Sequence, residues 1–106
     1  MIKFKAVKNA EGKIIHFSVS GHAGYSEAGS DIVCASVSSA VWMAVNGIEK
    51  LNLAELLYKQ DDAFVECSVS EKRMSAADAL LESLVLLIEE LASQYEDFVI
   101  FTQEIV

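Results

Sequence analysis

A chain of 106 residues with 53% apolar side chains and no proline has enough oil for one packed core and too little for two ordinary domains. A single domain over residues 1–106 is the expectation. The formal charge of −8 and pI near 4.6 describe a surface that repels phosphate backbones and anionic lipid, which excludes nucleic acid and membrane as expected partners.

The chain opens on Ile2-Lys3-Phe4-Lys5, which reads as a strand and not as the apolar stretch of a signal peptide. Ile2, Phe4 and Ala6 alternate with Lys3 and Lys5, and Ile15, Phe17 and Val19 share a face further on. Between them Asn9-Ala10-Glu11-Gly12 is a hairpin loop, so an antiparallel hairpin is predicted. The pattern then stops. Gly21, Gly24 and Gly29 interrupt residues 20–30 too often for a helix or strand, and predict a flexible loop.

A helix is predicted from Ile32 to Asn46, capped by Ser30 or Asp31 and stopped by Asn46-Gly47. Its small residues and lack of charge predict close packing. The uncharged run from Ile32 to Ile48 carries three serines and an asparagine, and falls short of the ~20 apolar residues of a membrane span. Two strands follow, Leu56–Lys59 and Phe64–Val69, joined at Gln60-Asp61-Asp62, although Leu53–Leu57 also suits a helix. Ser75 to Tyr95 is an amphipathic helix. Its stripe of Leu80, Leu81, Leu84, Val85, Leu87, Ile88 and Leu91 reads as core or as a dimer surface, and Ser75 with Asp78 forms a variant capping box. Phe98–Ile105 is a last strand. The order β-β-α-β-β-α-β predicts an α+β fold with two helices layered on a five-stranded, mainly antiparallel sheet.

Chemistry-bearing residues are few. There is no CxxC pair, and His16, His22, Cys34 and Cys67 lack zinc-site spacing. No phosphate-binding glycine motif is present, so neither metal nor cofactor is expected. Two cysteines in a chain of this type read as free thiols of a cytoplasmic protein. Cys67 sits mid-strand as packing, and His16 faces solvent. Cys34 falls in the first turn of the predicted helix, where free N–H groups and the helix dipole favour a thiolate and would stabilise an oxyanion. On spacing alone the favoured reading of the same residue is a small core side chain. An imidazole such as His22 within reach would supply the base and later the acid of thiol catalysis.

The segment Gly21-His22-Ala23-Gly24-Tyr25, continued by Gly29-Ser30-Asp31-Ile32-Val33-Cys34-Ala35-Ser36-Val37-Ser38, resembles the signature of the ribosomal-processing cysteine proteases of Firmicutes and their relatives. Length and element order are similar too, and the one departure is Ser36 where the family commonly has alanine. The resemblance implies a cysteine endopeptidase that removes the N-terminal extension of a large-subunit ribosomal protein, L twenty-seven, during ribosome assembly. It implies Cys34 as nucleophile, His22 as general base, Asp31 and Ser38 in support, and a homodimer. Asp31 either orients the histidine or caps the helix, and Ser38 lies one turn after Cys34, near enough to hydrogen-bond by the thiol. A loop built on Gly21, Gly24 and Gly29 leaves room for the pair to assemble only when substrate binds. Two rivals differ in kind. A non-enzymatic ribosome-associated binding module would not need Cys34, and a redox-active thiol protein would not need His22.

Overall fold

In the computed structural model, which describes residues 1–27 and 31–106, the alternating residues form the predicted hairpin. Strand β1 (Ile2–Lys8) runs antiparallel to β2 (Ile14–Ser20), with Phe4 opposite Val19 and Ala6 opposite Phe17. The Asn9 Oδ1 accepts the N–H groups of Glu11 and Lys13, both at 3.0 Å, and closes the loop. Helix α1 (Ile32–Lys50) is followed by β3 (Ala54–Asp61), β4 (Phe64–Arg73), α2 (Ser75–Gln94) and β5 (Val99–Ile105). The strand order is β3-β4-β2-β1-β5, with β1 and β5 parallel and the other pairs antiparallel. The expected α+β arrangement is the one observed.

One face of the sheet is the core. Phe4, Phe17, Cys67 and Val99 bury themselves against Val37, Val41 and Val45 of α1 and Leu81, Leu84 and Ile88 of α2. Phe4 stacks on Phe17 at 5.6 Å and on Phe101 at 6.0 Å, so three strands are tied by rings. Lys3 and Lys5 point the other way, into solvent.

Several boundaries differ from the sequence expectation. Helix α1 runs through Asn46-Gly47 to Lys50, and the residue that leaves helical space is Asn52, with φ 55°. Gly47 is a packing residue instead of a stop: a Cβ there would lie 3.1 Å from Leu80 Cδ1. At 19 residues α1 is long and apolar enough, by length and composition, to cross a membrane. Within this fold that apolarity serves the buried face of Val33, Val37, Val41, Val45 and Ile48.

Ser75 does not cap α2. Met74 occupies the cap without a side-chain bond, because Asp78 is drawn to Arg73 at 3.1 Å. The Arg73 side chain is 1% exposed and also donates to the carbonyls of Ile14, Ser70 and Val69. A buried guanidinium requires a carboxylate beside it, and among the described residues Asp78 is the one within reach. Gln60 and Asp61 belong to β3, so the turn is Asp62-Ala63, with Ala63 at φ 55°. Leu53–Leu57 leads into a strand and not a helix, an edge strand with most side chains exposed. On α2, Leu87 sits at the margin of the stripe and is exposed, as is Leu86; Leu81, Leu84, Val85, Ile88 and Leu91 do the packing.

Candidate active site

Where β2 ends, the chain makes a turn open only to glycine. Gly21 has φ +90°, and a Cβ on it would stand 2.2 Å from the Met1 carbonyl oxygen. Its N–H donates to Ala63 O at 2.8 Å, and the Met1 amino group donates to His22 O. The root of the histidine segment is thereby held by β1 and by the β3–β4 turn. Gly24 follows at φ +71° with open space around it. Gly29 and Ser30, the third expected loop glycine and one expected cap, lie outside the described residues.

Asp31 closes the other end. Its Oδ1 accepts the N–H groups of Val33 and Cys34 at 3.0 Å each, and its Oδ2 accepts those of Tyr25 and Ser26 at 3.1 and 3.4 Å. Of the two roles the sequence left open, this is the helix cap, extended into a clamp between α1 and the preceding segment. The bond from the Cys34 N–H, foremost, holds the carboxyl below its ordinary value; burial pulls the other way, and the bonds from Ser26, Tyr25 and Val33 add to the lowering.

Cys34 is half-buried in the first turn of α1. The N–H groups of Val33 and Cys34 are already taken by Asp31, so they are not the free donors the sequence suggested. The donor aimed at the sulfur is the buried Ala23 N–H, 3.2 Å from Sγ. Nothing in the residue pattern points to it, since a backbone amide leaves no trace in side-chain chemistry. His22 is exposed, and among the described residues its imidazole makes no hydrogen bond. Yet His22, Cys34 and Ser38 together wall two adjoining clefts. Trp42 and Phe64 line one cleft, and Gly24 and Asp31 the other. Ser38 lies in both without bonding the thiol.

The other candidates stand apart. Cys67 is fully buried, and burial, followed by the charge of Glu49, pushes its thiol up to about 11. His16 is on the sheet face away from the helices, 3.8 Å from Glu66, and lines neither cleft. Among the described residues no three His, Cys, Asp or Glu side chains are grouped to hold a metal.

A helix-borne thiol and an imidazole sharing the walls of a cleft are a combination that can carry thiol-dependent acyl transfer, set here on a two-layer α+β frame. The match to known proteins is correspondingly narrow. Residues 1–100 match the family model described as cysteine protease Prp, and the chain belongs to that family. The ribosomal processing cysteine protease Prp of Bacillus subtilis is 30% identical over the whole of both chains. Among solved structures, SMU.848 from Streptococcus mutans is 28% identical with a TM-score of 0.83, covering 100% of this chain and 96% of that one. The Staphylococcus aureus Prp protease with a covalently linked product peptide shares the fold, with a TM-score of 0.92 at 24% identity, over 98% of this chain and 100% of that one.

Proposed function

We propose that this protein is a cysteine endopeptidase of the cytoplasm. It removes the N-terminal extension of a large-subunit ribosomal protein, L twenty-seven, with Cys34 as nucleophile and His22 as base. The observation that carries the reading is the Ala23 N–H bond to Cys34 Sγ: it places the residue next to His22 against the sulfur, in clefts that both side chains wall. Membership of the family to which residues 1–100 match, the 30% identity to the B. subtilis protease, and the product peptide covalently linked to the S. aureus protease support a peptide substrate.

In this mechanism His22 takes the Cys34 proton and the thiolate adds to the scissile carbonyl. His22 returns the proton to the departing amine, leaving an acyl-thioester. Water, deprotonated by His22, then frees the new carboxylate and restores the thiol. Among the described residues the imidazole has no hydrogen bond, so in this reading substrate brings the pair together and stray proteolysis is suppressed. Asp31 holds the segment to α1, and Ser38 contributes a hydroxyl to both clefts. A homodimer belongs to the same reading, supported by exposed Ile32 and Met43 on α1.

The test is mass-spectrometric analysis of a peptide spanning the extension and its junction, incubated with wild type, Cys34→Ala and His22→Ala. One cut at the junction, absent with both variants, is expected. A cut that survives Cys34→Ala overturns the mechanism.

A further inference from the structure

An aromatic side chain that is 45% exposed, on a segment containing two positive-φ glycines, has little local reason to be fixed. Tyr25 is fixed from a distance. Its ring meets Tyr95 at 5.6 Å and 86°, and Phe98 at 5.2 Å and 79°, both edge to face. Those partners form a rigid seat. Tyr95 ends α2 and its N–H donates to Leu91 O at 2.8 Å, while its own carbonyl accepts the N–H groups of Phe98 and Val99 at 2.8 and 2.9 Å. Phe98 O in turn accepts the Ile2 N–H at 2.8 Å. The seat thus belongs to α2, β5 and β1, and none of it to α1, which bears Cys34.

We infer that Tyr25 is a positioning residue for the thiol chemistry: docked on Tyr95 and Phe98, its ring holds the His22–Ala23 segment against Cys34. The inference rests on the proposed Cys34–His22 reading. Beyond the ring, and among the described residues, the backbone donors of Ala23, Tyr25 and Ser26 tie this segment to Cys34 and to the Asp31 cap of α1. The one reaching Cys34 is an N–H to sulfur contact, weak among hydrogen bonds. The His22 carbonyl stays tied to the Met1 amino group, but without the ring Gly24 gives the rest of the segment freedom to draw the Ala23 donor away from the sulfur and so to misplace the adjoining imidazole. The contacts use ring edges and faces, and among the described residues the Tyr25 hydroxyl has no partner, so phenylalanine suffices at this position.

The experiment pairs steady-state peptide cleavage with amide hydrogen exchange on the full chain. Tyr25→Ala is expected to lower kcat roughly ten- to a hundredfold with little change in KM, because catalytic geometry is lost and not substrate affinity. The Ala23 amide is expected to exchange at least roughly tenfold faster while the β1 amides keep their protection. Tyr95→Ala, far along the chain, should reproduce both effects, and Tyr25→Phe should restore both. An unchanged kcat in Tyr25→Ala, or an Ala23 amide still protected in it, overturns the inference. A folded wild type that never cuts the peptide overturns the protease reading instead, and leaves the Ala23 exchange rate to decide whether Tyr25 holds the segment.

Discussion

Gly21→Ala isolates the tightest constraint at the site. The added methyl would stand 2.2 Å from the Met1 carbonyl oxygen, and the obstacle is backbone, so no rotamer change relieves it. The position also has φ +90°, where a side chain costs about 1–2 kcal/mol by itself. Gly12→Ala is the matched reference: φ is +81° and nothing lies within 4 Å of the new methyl, so it bears the backbone strain alone. We expect Gly12→Ala to lose about 1 kcal/mol, roughly 4–8 °C in Tm for a chain of this size, with cleavage intact. Gly21→Ala should lose about 2–4 kcal/mol, because Met1 or the Gly21–Ala63 hydrogen bond must give way. Since His22 is the next residue, cleavage should fall on the order of a hundredfold in the protein that remains folded. Thermal melts and peptide cleavage of the two variants, measured side by side, decide it. Equal melting points and equal cleavage would refute the claim that the Met1 carbonyl sets the path of this segment.

Arg73→Met strips donors from three carbonyls and a partner from Asp78, and is expected to cost about 2–4 kcal/mol by denaturant unfolding, more than Asp78→Asn, since Asp78 is 29% exposed and keeps a carbonyl acceptor as asparagine. Asp31→Asn leaves an amide NH2 facing N–H donors on one side of the clamp, so both stability and cleavage should fall near neutral pH. The native Asp31 carboxyl is held below its ordinary 3.8, so its contribution is complete above that value and vanishes as pH falls through the lowered one. Urea midpoints of wild type and Asp31→Asn should accordingly converge as pH falls below 3.8, and a constant gap would exclude the charge as the cause. Iodoacetamide at about pH 8 should add a single mass adduct, on Cys34, because Cys67 is buried with its thiol raised to about 11; an adduct on Cys67 of the folded protein would contradict that burial.

What sequence could and could not foretell divides along physical lines. Period-two and period-3.6 patterns are local, so β1, β2 and α2 were readable from Phe4, Phe17 and the Leu81–Leu91 stripe. Strand order was not, because the parallel pairing of β1 with β5 joins segments with no shared local signal. Asn46-Gly47 looked like a helix end since a glycine required for contact with Leu80 and a glycine required for a turn are the same letter. The capping box at Ser75 failed because Asp78 answered a buried charge that only the tertiary fold creates. At the candidate site, Cys34, His22 and Asp31 were readable as residue types. The Ala23 amide and the Tyr95–Phe98 seat were not: one is backbone, and the other lies some seventy positions away from the ring it holds.

The pairing of β1 with β5 also governs how this molecule comes into being. Ile2 aligns with Val99 and Lys8 with Ile105, so β1 gains its second neighbour only after every other element has been made. Contacts that span nearly the whole chain close slowly, and folding should reach its native state late and all together, not from the first hairpin outward. Phe4 acquires the Phe101 half of its stack in the same event, and Ile2 its bond to Phe98 O. A nascent or C-terminally clipped chain would therefore carry Cys34 and His22 without a finished β1 beneath them. Timing of assembly, and not only shape, would then govern when the cleft that Ile2 lines with His22 and Cys34 is complete.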